Sequence, residues 1–456
     1  MFLDLLALVL APLQSLVWWF LGLWWLWLLI ALFYTAYHAW MAYIQEYFKR
    51  VTTQWVLLEL RIPREIKNTP RAMEQIFATV HALKNSASDY QETYWDGEVP
   101  HWFSFEAASF GGEIHFYLYV PVVRRTHVEA AFYANYPDIE ITEVPPEQDY
   151  VHRLYPTMKE LYKNGYRLFG NELIFPKKKN SKHPEVYPIR TYLEFEATTE
   201  EREVDPVGQL VETLARLRPQ EHIWLQILAR PKVDDFITAF HKAGEDEIDV
   251  VKKKARYLKD ETGEVLKDDT GYPLLAFPSP GETEAMKAID RKISKPAFDV
   301  VIRYLYIAPK EIFSMGFGRR SVFSALNQYR SESLNYFNHH TRAWTLAKVW
   351  YKPWIFPGRR AAARRDWMWE NYQMRNMYPD RTSEALLKMR LFNWGFVPWR
   401  MSNLVLNTEE LATIYHMPTI ITLTGPLIKR VEARRGGPPA GLPIYGEEGE
   451  EDLPLE

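Results

Sequence analysis

Cysteine is absent from all 456 residues, which excludes disulfides, thiolate metal sites and thiol nucleophiles. No G-x-x-x-x-G-K-[ST] stretch occurs, so no P-loop is encoded to cradle nucleotide phosphates. H-E-x-x-H, H-x-H and G-x-S-x-G are missing too, which removes the common zinc and serine-hydrolase arrangements. His339 and His340 are adjacent, and on a helix such neighbours point about 100° apart, unsuited to one metal. The acidic pairs Asp234-Asp235 and Asp268-Asp269 sit in charged segments, where nothing would raise a carboxyl pKa for catalysis. A net charge of −3 gives no global attraction to nucleic acid or anionic lipid. No metal, cofactor or catalytic residue is therefore expected.

Aromatic side chains are abundant instead, at 15% of the chain with 17 Trp and 27 Tyr. Part of this excess lies in an apolar N-terminal run. From Leu5 to Tyr37 the polar residues are Gln14, Ser15, Thr35 and tyrosine hydroxyls. As a helix, Leu16 to Tyr37 would span roughly 33 Å, the thickness of a hydrocarbon core. Trp18, Trp19 and Trp40 fall towards its ends, where amphipathic rings favour the interface, while Trp24, Trp25 and Trp27 lie deeper. A cleaved signal peptide fits less well, because Asp4 replaces the basic n-region and no small-x-small site follows. Lys49, Arg50, Arg61 and Arg64 follow the span and no basic residue precedes it. This asymmetry predicts a single-pass anchor in the plasma membrane with the remainder cytoplasmic.

After the anchor (1–50), residues 51–150 read as strand, helix, two strands, helix, strand. "WVLLELRIP" is a buried strand closed by Pro63, and Thr69-Pro70 opens a helix. "WFSFEAAS" and "EIHFYLYV" flank Gly111-Gly112 as a hairpin. "VEAAFYANYPD" is a second helix and "IEITEV" the last strand. That βαββαβ order predicts a ferredoxin-like unit. Its hairpin alternates: Ile114, Phe116, Leu118 and Val120 share one face, while Glu113, His115, Tyr117 and Tyr119 share the other with Trp102 and Glu106. This second face is aromatic and partly acidic. It resembles an RNA-binding platform only superficially, since its carboxylates would repel phosphates. We expect it to be a protein interface, buried against another domain or subunit.

A linker at 151–186 precedes a second such unit over 187–425. "YPIRTYLEFEA", "HIWLQILA" and "FDVVIRYLYIA" are its expected strands, with helices after Asp205-Pro206 and at "RSVFSALNQY". Insertions at about 232–296 and 331–405 divide it, and "TIITLTG" near residue 420 would close it. "GFGRRS" (Gly316 to Ser321) is half of a dinucleotide loop, with Ser321 replacing the third glycine, and reads as a flexible connector. Residues 426–456 are rich in Gly, Pro and Glu and read as a disordered acidic tail. The fold class expected is α+β: a transmembrane helix, then two tandem ferredoxin-like units, the second with insertions.

One basic feature stands out. In "FPGRRAAARRDWMW", Arg359, Arg360, Arg364 and Arg365 recur on a helix beginning after Pro357-Gly358, near Trp344, Trp350, Trp354, Trp367 and Trp369. This composition suits a helix resting on anionic lipid, or phosphate contacts with nucleic acid. An ordinary charged helix packing its tryptophans inward has the same pattern.

"LNTEELATIYHMP" (406–418) is a punctuated short helix. Asn407 is an N-cap completed by Glu410 in a capping box, Leu406 and Leu411 can staple it, and Pro418 stops it. His416 reads as a packing or capping residue. Together "LLELRIP", "TPRAMEQIFATVHAL", "SFEAASFGGEIHFYLYVP" and "VEAAFYANYPDIEITEV" resemble the membrane-anchored N-terminal region of type IV secretion or conjugation-type ATPases. The similarity is to the versions found in ultrasmall bacteria of the candidate phyla radiation. "LNTEELATIYHMP" and "RRGGPPAGLP" are similar to the segments that precede the motor in that family. The resemblance covers most of 55–330 and 403–443. It does not extend over 331–402, and no motor domain follows the connector. It implies a non-enzymatic, oligomeric platform for a separate P-loop ATPase acting in trans, with nucleic-acid binding the less favoured alternative.

Overall fold

The computed structural model describes residues 22–62, 69–85, 87–153, 157–178, 181–196, 205–254, 278–346, 356–378 and 404–418. Trp18, Trp19, Trp350, Trp354, Asp268, Asp269, the strand expected at 419–425 and the acidic tail lie outside the described residues.

Helix α1 (Trp24–Tyr47) is long and apolar enough to cross a membrane by length and composition. Trp24, Trp25, Trp27 and Trp40 are all exposed on it. Its last turns differ, because Met41, Ile44 and Gln45 are buried against a turn that ends at Gly97. A Cβ at Gly97 would lie 2.7 Å from the Ile44 carbonyl carbon, and the backbone there has φ +67°. Close approach and left-handed backbone both require glycine. The helix continues through a wide turn, Phe48–Thr52, and passes directly into the first strand.

The described strands form one nine-stranded antiparallel sheet. They are β1 (Trp55–Arg61), β2 (Phe103–Phe110), β3 (Glu113–Pro121), β4 (Glu140–Val144), β5 (Tyr166–Ile174), β6 (His222–Pro231), β7 (Ala297–Pro309), β8 (Asn338–His339) and β9 (Leu404–Asn407). Their order is β4-β1-β3-β2-β6-β7-β5-β8, with β9 also on β7. The two halves meet where β2 pairs β6, from Phe103 opposite Ala229 to Phe110 opposite His222. Strand alternation sorts the sheet into two faces. Leu58, Phe105, Phe116, Ile227 and Ile302 point to one, in a continuous apolar core. Helices α2 (Pro70–Ala82), α3 (Arg125–Asn135), α7 (Gly208–Ala215), α10 (Met315–Leu326) and α12 (Thr408–Ile414) contribute to that core. The opposite face packs against the short helices α4 (Tyr150–Arg153) and α5 (Met158–Lys163) and against α11 (Pro357–Gln373). The charged excursion 232–296 holds α8 (Asp234–Lys254) and α9 (Pro280–Ile293), which pack together beyond one end of β7.

Several expectations change. The expected strand "YPIRTYLEFEA" is not one over its described residues, 187–196, which run into a short helix, α6 (Tyr192–Glu196). The strand comes from the segment read as a linker, as β5, which pairs with β7 from Tyr166 opposite Pro309 to Glu172 opposite Arg303. Two backbone donors of 187–196 go to α12 instead: Ile189 N–H donates to Glu410 Oε1 and Tyr192 N–H to Thr413 Oγ1. β9 lies along the same edge of β7 as β5, further down at Ala297–Val300, and so does not flank β5. "GFGRRS" is no flexible connector but the first turn of α10, with Ser314 as its N-cap. A Cβ at Gly318 would come within 2.5 Å of the Tyr306 ring, so that glycine serves helix-to-sheet contact rather than a nucleotide.

Candidate functional site: a buried charged row under the C-terminal helix

On the face away from the apolar core, one cross-strand row is polar. Glu59 pairs with Tyr117, Tyr117 with Glu106, Glu106 with Gln226, Gln226 with Arg303 and Arg303 with Glu172. Five strands thus place these side chains in one line across both halves of the sheet, together with the sixth strand, β5. Glu106, Gln226 and Arg303 are each fully buried and Glu172 is 2% exposed. Each lies inside a buried strand, and burying such groups is tolerated only when charges are paired and hydrogen bonds made.

The partners come from residues 371–378, the last turn of α11 and the chain just after it, and from 149–150. The Arg375 guanidinium donates Nε to Glu106 Oε1 at 2.8 Å and Nη2 to Oε2 at 3.0 Å. It also donates Nη1 to Asp149 Oδ2 at 2.7 Å and Nη2 to Oδ1 at 3.1 Å. Tyr150 donates to Glu106 Oε2 at 2.7 Å, and its oxygen lies 3.0 Å from that of Tyr372. Gln226 bridges outward, giving Nε2 to Glu106 at 3.0 Å and receiving Arg303 Nη1 at 3.2 Å. Arg303 donates Nε to Glu172 at 3.1 Å and caps the segment's carbonyls, at Asn371 O (2.7 Å) and Asn376 O (3.1 Å). Tyr378 donates to Glu172.

The charges act on one another as these distances require. Burial alone would raise the Glu172 carboxyl, but Arg303, His340 and Tyr378 hold it below the ordinary carboxylate range. Burial would weaken the Arg375 cation, yet Glu106 and Asp149 hold its pKa well above the ordinary value. Burial first, then Glu106, pushes the Tyr150 and Tyr372 hydroxyls up. Both oxygens of Glu106 already accept bonds from protein groups. The arrangement clamps the 371–378 segment onto the sheet, with no acceptor on Glu106 turned toward solvent.

Arg375 has φ +48°, at the position after a helix end where glycine is usual. A left-handed backbone costs a non-glycine residue about 1–2 kcal/mol, a strain the two carboxylates offset.

The aromatic face read from the hairpin belongs to this site. Trp102 is 5% exposed and donates Nε1 to Arg375 O at 2.9 Å. Tyr119 lies between rings, stacked on Trp55 at 5.1 Å and under Arg375 at 4.5 Å, and burial raises its hydroxyl to about 12. Tyr117 stacks on Tyr150 at 4.9 Å. His115 is half outside the cluster, 2.8 Å from Glu59 and 3.3 Å from Glu113. This face is covered by the chain's own 371–378 segment, α4 and α11, so no other domain or subunit is needed to bury it.

The four arginines of the basic segment do not make one exposed patch. Arg360 is 5% exposed, Arg364 donates to Leu346 O at 2.8 Å, and Arg365 stacks over Tyr162 at 5.1 Å. Arg359 is exposed, over the Phe356 ring. Trp369 packs inward beside Trp224 and Met368. The sequence motifs do not single out Arg303, Gln226, Glu172, Asp149 or Arg375. A usable signal existed: Gln226 and Arg303 are single polar residues inside "HIWLQILA" and "FDVVIRYLYIA".

Three histidines give the fold a pH dependence. Burial holds His222 down at about 4; burial with Arg124 does the same for His101 and burial with Arg319 for His339, both also to about 4. A depressed pKa means the unfolded chain takes its proton first, so stability is intact above about pH 6.5 and is lost as pH falls towards 4. His222 alone should account for about 2 kcal/mol between pH 7 and pH 5. Urea denaturation at the two pH values checks this, and His222→Phe should remove that share.

The fold and site together define a mixed α+β protein with an apolar N-terminal helix, a large antiparallel sheet and a structural charge clamp. Among the described residues no group of three His, Asp or Glu side chains is positioned to hold a metal ion. The chain belongs to the family defined by a domain of unknown function, DUF8128, whose model matches residues 34–424. No curated protein matches.

Proposed function

We propose that the chain is a non-enzymatic, membrane-anchored scaffold of a secretion- or conjugation-type machine, a platform on which a separate motor ATPase assembles. α1 would be a single-pass anchor with the sheet on the cytoplasmic side. The observation that carries this reading is the rigid junction between α1 and the body. The helix enters β1 after one turn, its buried side packs on Gly97, and Trp40 Nε1 donates to Tyr94 O at 3.0 Å. An anchor joined this way can orient a platform, whereas a signal sequence has no use for such a joint.

The first half supports a ferredoxin-like unit, with order β4-β1-β3-β2 and α2 and α3 on one face. The second half is a modified version, its order mirrored across β2–β6. The connector supports the platform reading. Asn407 and Glu410 form the capping box, residues 404–418 are buried throughout, and the segment ties α2, α9 and Asp205 together. Lys295 reaches Glu409 at 2.8 Å, Thr408 reaches Glu74 at 3.3 Å, and His416 bridges Asp205 at 2.8 Å and Ala412 O at 2.7 Å. Whatever follows the connector leaves from a fixed point. The nucleic-acid alternative loses support from the internal partners of Arg360, Arg364 and Arg365.

Extraction of native membranes tests the anchor: the chain should stay with lipid after an alkaline carbonate wash, and release would sink that part. Crosslinking in those membranes should then recover a P-loop ATPase. Recovery of the chain without one would remove the motor.

A further inference from the structure

The turn that grips α1 carries two large aromatics with no cover. Tyr90 is 79% exposed and Trp95 73%, as bare as Phe33 on α1 at 77%. Exposed rings of this size on a folded body mark a contact surface. Their height along α1 suggests with what. Tyr94 O accepts from Trp40 Nε1, the Tyr94 ring lies 6.3 Å from Tyr37, and Trp95 lies 6.1 Å from Trp40. The turn therefore runs beside Tyr37–Trp40, about 12 Å up the helix from Phe48, at a rise of about 1.5 Å per residue. Trp40 and Tyr43, both exposed, are where the apolar stretch of α1 gives way to Glu46, Lys49 and Arg50. Gly97 holds the turn to Ile44, so turn and helix move as one.

We infer that residues 89–97 are a second lipid contact: an aromatic wedge lying in the interfacial zone of the leaflet through which α1 leaves. With Trp40 and Tyr43 it completes an aromatic collar of the kind that amphipathic rings form at a bilayer surface. Headgroup charge is not what it reads. Asp89, Glu92 and Asp96 lie in the same turn, and Glu92 is occupied by Ser88, donating N–H at 2.7 Å and Oγ at 3.0 Å. The contact should therefore persist at high salt and on zwitterionic lipid. This inference rests on α1 being embedded, as proposed above.

The cysteine-free chain makes the test clean. Single variants Trp95→Cys, Tyr90→Cys, Ile30→Cys and Glu332→Cys of the full chain are labelled with an environment-sensitive fluorophore and reconstituted in phosphatidylcholine vesicles. Lipids spin-labelled near the headgroup or near the acyl-chain end then quench by depth. Probes at 95 and 90 should be quenched roughly twofold more by the shallow label than by the deep one, as for interfacial rings. The probe at 30 should show the reverse order, and the one at 332, in the loop before β8, neither. Deep quenching at 30 with none at 95 and 90 overturns the wedge and leaves the anchor standing, whether those probes read water or a protein cover. Absence of quenching at 30 overturns both.

Discussion

Replacing Arg375 by methionine is expected to destabilise the fold by about 3–5 kcal/mol, the usual cost of leaving a buried charge without its partner. Here two carboxylates lose it together, since Arg375 binds both Glu106 and Asp149. Urea denaturation of the detergent-purified chain measures the loss. Arg375→Gly separates charge from backbone, because the φ of +48° suits glycine and gains about 1 kcal/mol of conformational relief. Glycine should still be destabilised, though less than methionine. Adding Glu106→Gln to Arg375→Met should recover part of the loss by neutralising one of the stranded carboxylates. No recovery would mean that packing, not charge, holds the segment.

The clamp also shows where local sequence stops being informative. Alternation in "EIHFYLYV" was enough to separate the apolar face from the one with Tyr117 and Tyr119, since a strand fixes side-chain direction over two residues. It could not show what covers the second face. Arg375 lies 269 positions from Glu106, and no periodicity connects them. The expectation of a partner domain or subunit followed from an aromatic face with no visible cover. The cover includes residues 357–378, inside the stretch 331–402 that matches no recognised segment and reads as an insertion.

β5 is hard to read from the sequence for a related reason. "YRLFGNELI" holds Arg167, Gly170, Asn171 and Glu172, too polar for a buried strand judged on composition. Each is explained by its place in the sheet. Gly170 makes room for Leu305 and Met368, to which a Cβ would come within 2.7 Å. Asn171 donates to His339 at 2.8 Å and Glu172 meets Arg303. "YPIRTYLEFEA" has better strand composition, yet Ile189 and Tyr192 give their N–H groups to α12 and Arg190 gives its own to Tyr329 O. Tertiary pairing overrode propensity in both directions. The capping box of 407–410 was legible because every group in it lies within four residues. Its burial beneath α2 and α9 was not.

That burial makes Lys292 the other sensitive position. Its Nζ lies 3.1 Å from Glu410 Oε2 with both side chains fully buried, and it also donates to Tyr187 O at 3.3 Å. Burial presses both partners towards neutrality, lowering Lys292 and raising Glu410; their mutual attraction opposes this, as do the N–H groups of Asn407 and Ile189 on the Glu410 carboxyl. Lys292→Met should cost about 3–5 kcal/mol at neutral pH, because Glu410 keeps its place in the capping box without a counter-ion. The sign of the pH dependence follows. A carboxyl raised in the folded state contributes stability that is present below its unfolded pKa and lost as pH rises through the folded value. Without the lysine that rise is larger, so the deficit of the variant relative to the native chain should be smaller near pH 5 than near pH 8. Denaturation of both chains at the two pH values measures it, with the common histidine effect cancelling in the difference. Lys292→Met combined with Glu410→Gln should recover part of the loss and flatten the pH dependence, since glutamine carries no charge and its one amide oxygen can still accept from either Ile189 N–H or Asn407 N–H. A deficit that stays constant with pH would mean that Lys292 acts through its packing and its bond to Tyr187, and that Glu410 carries no uncompensated charge when the lysine is gone.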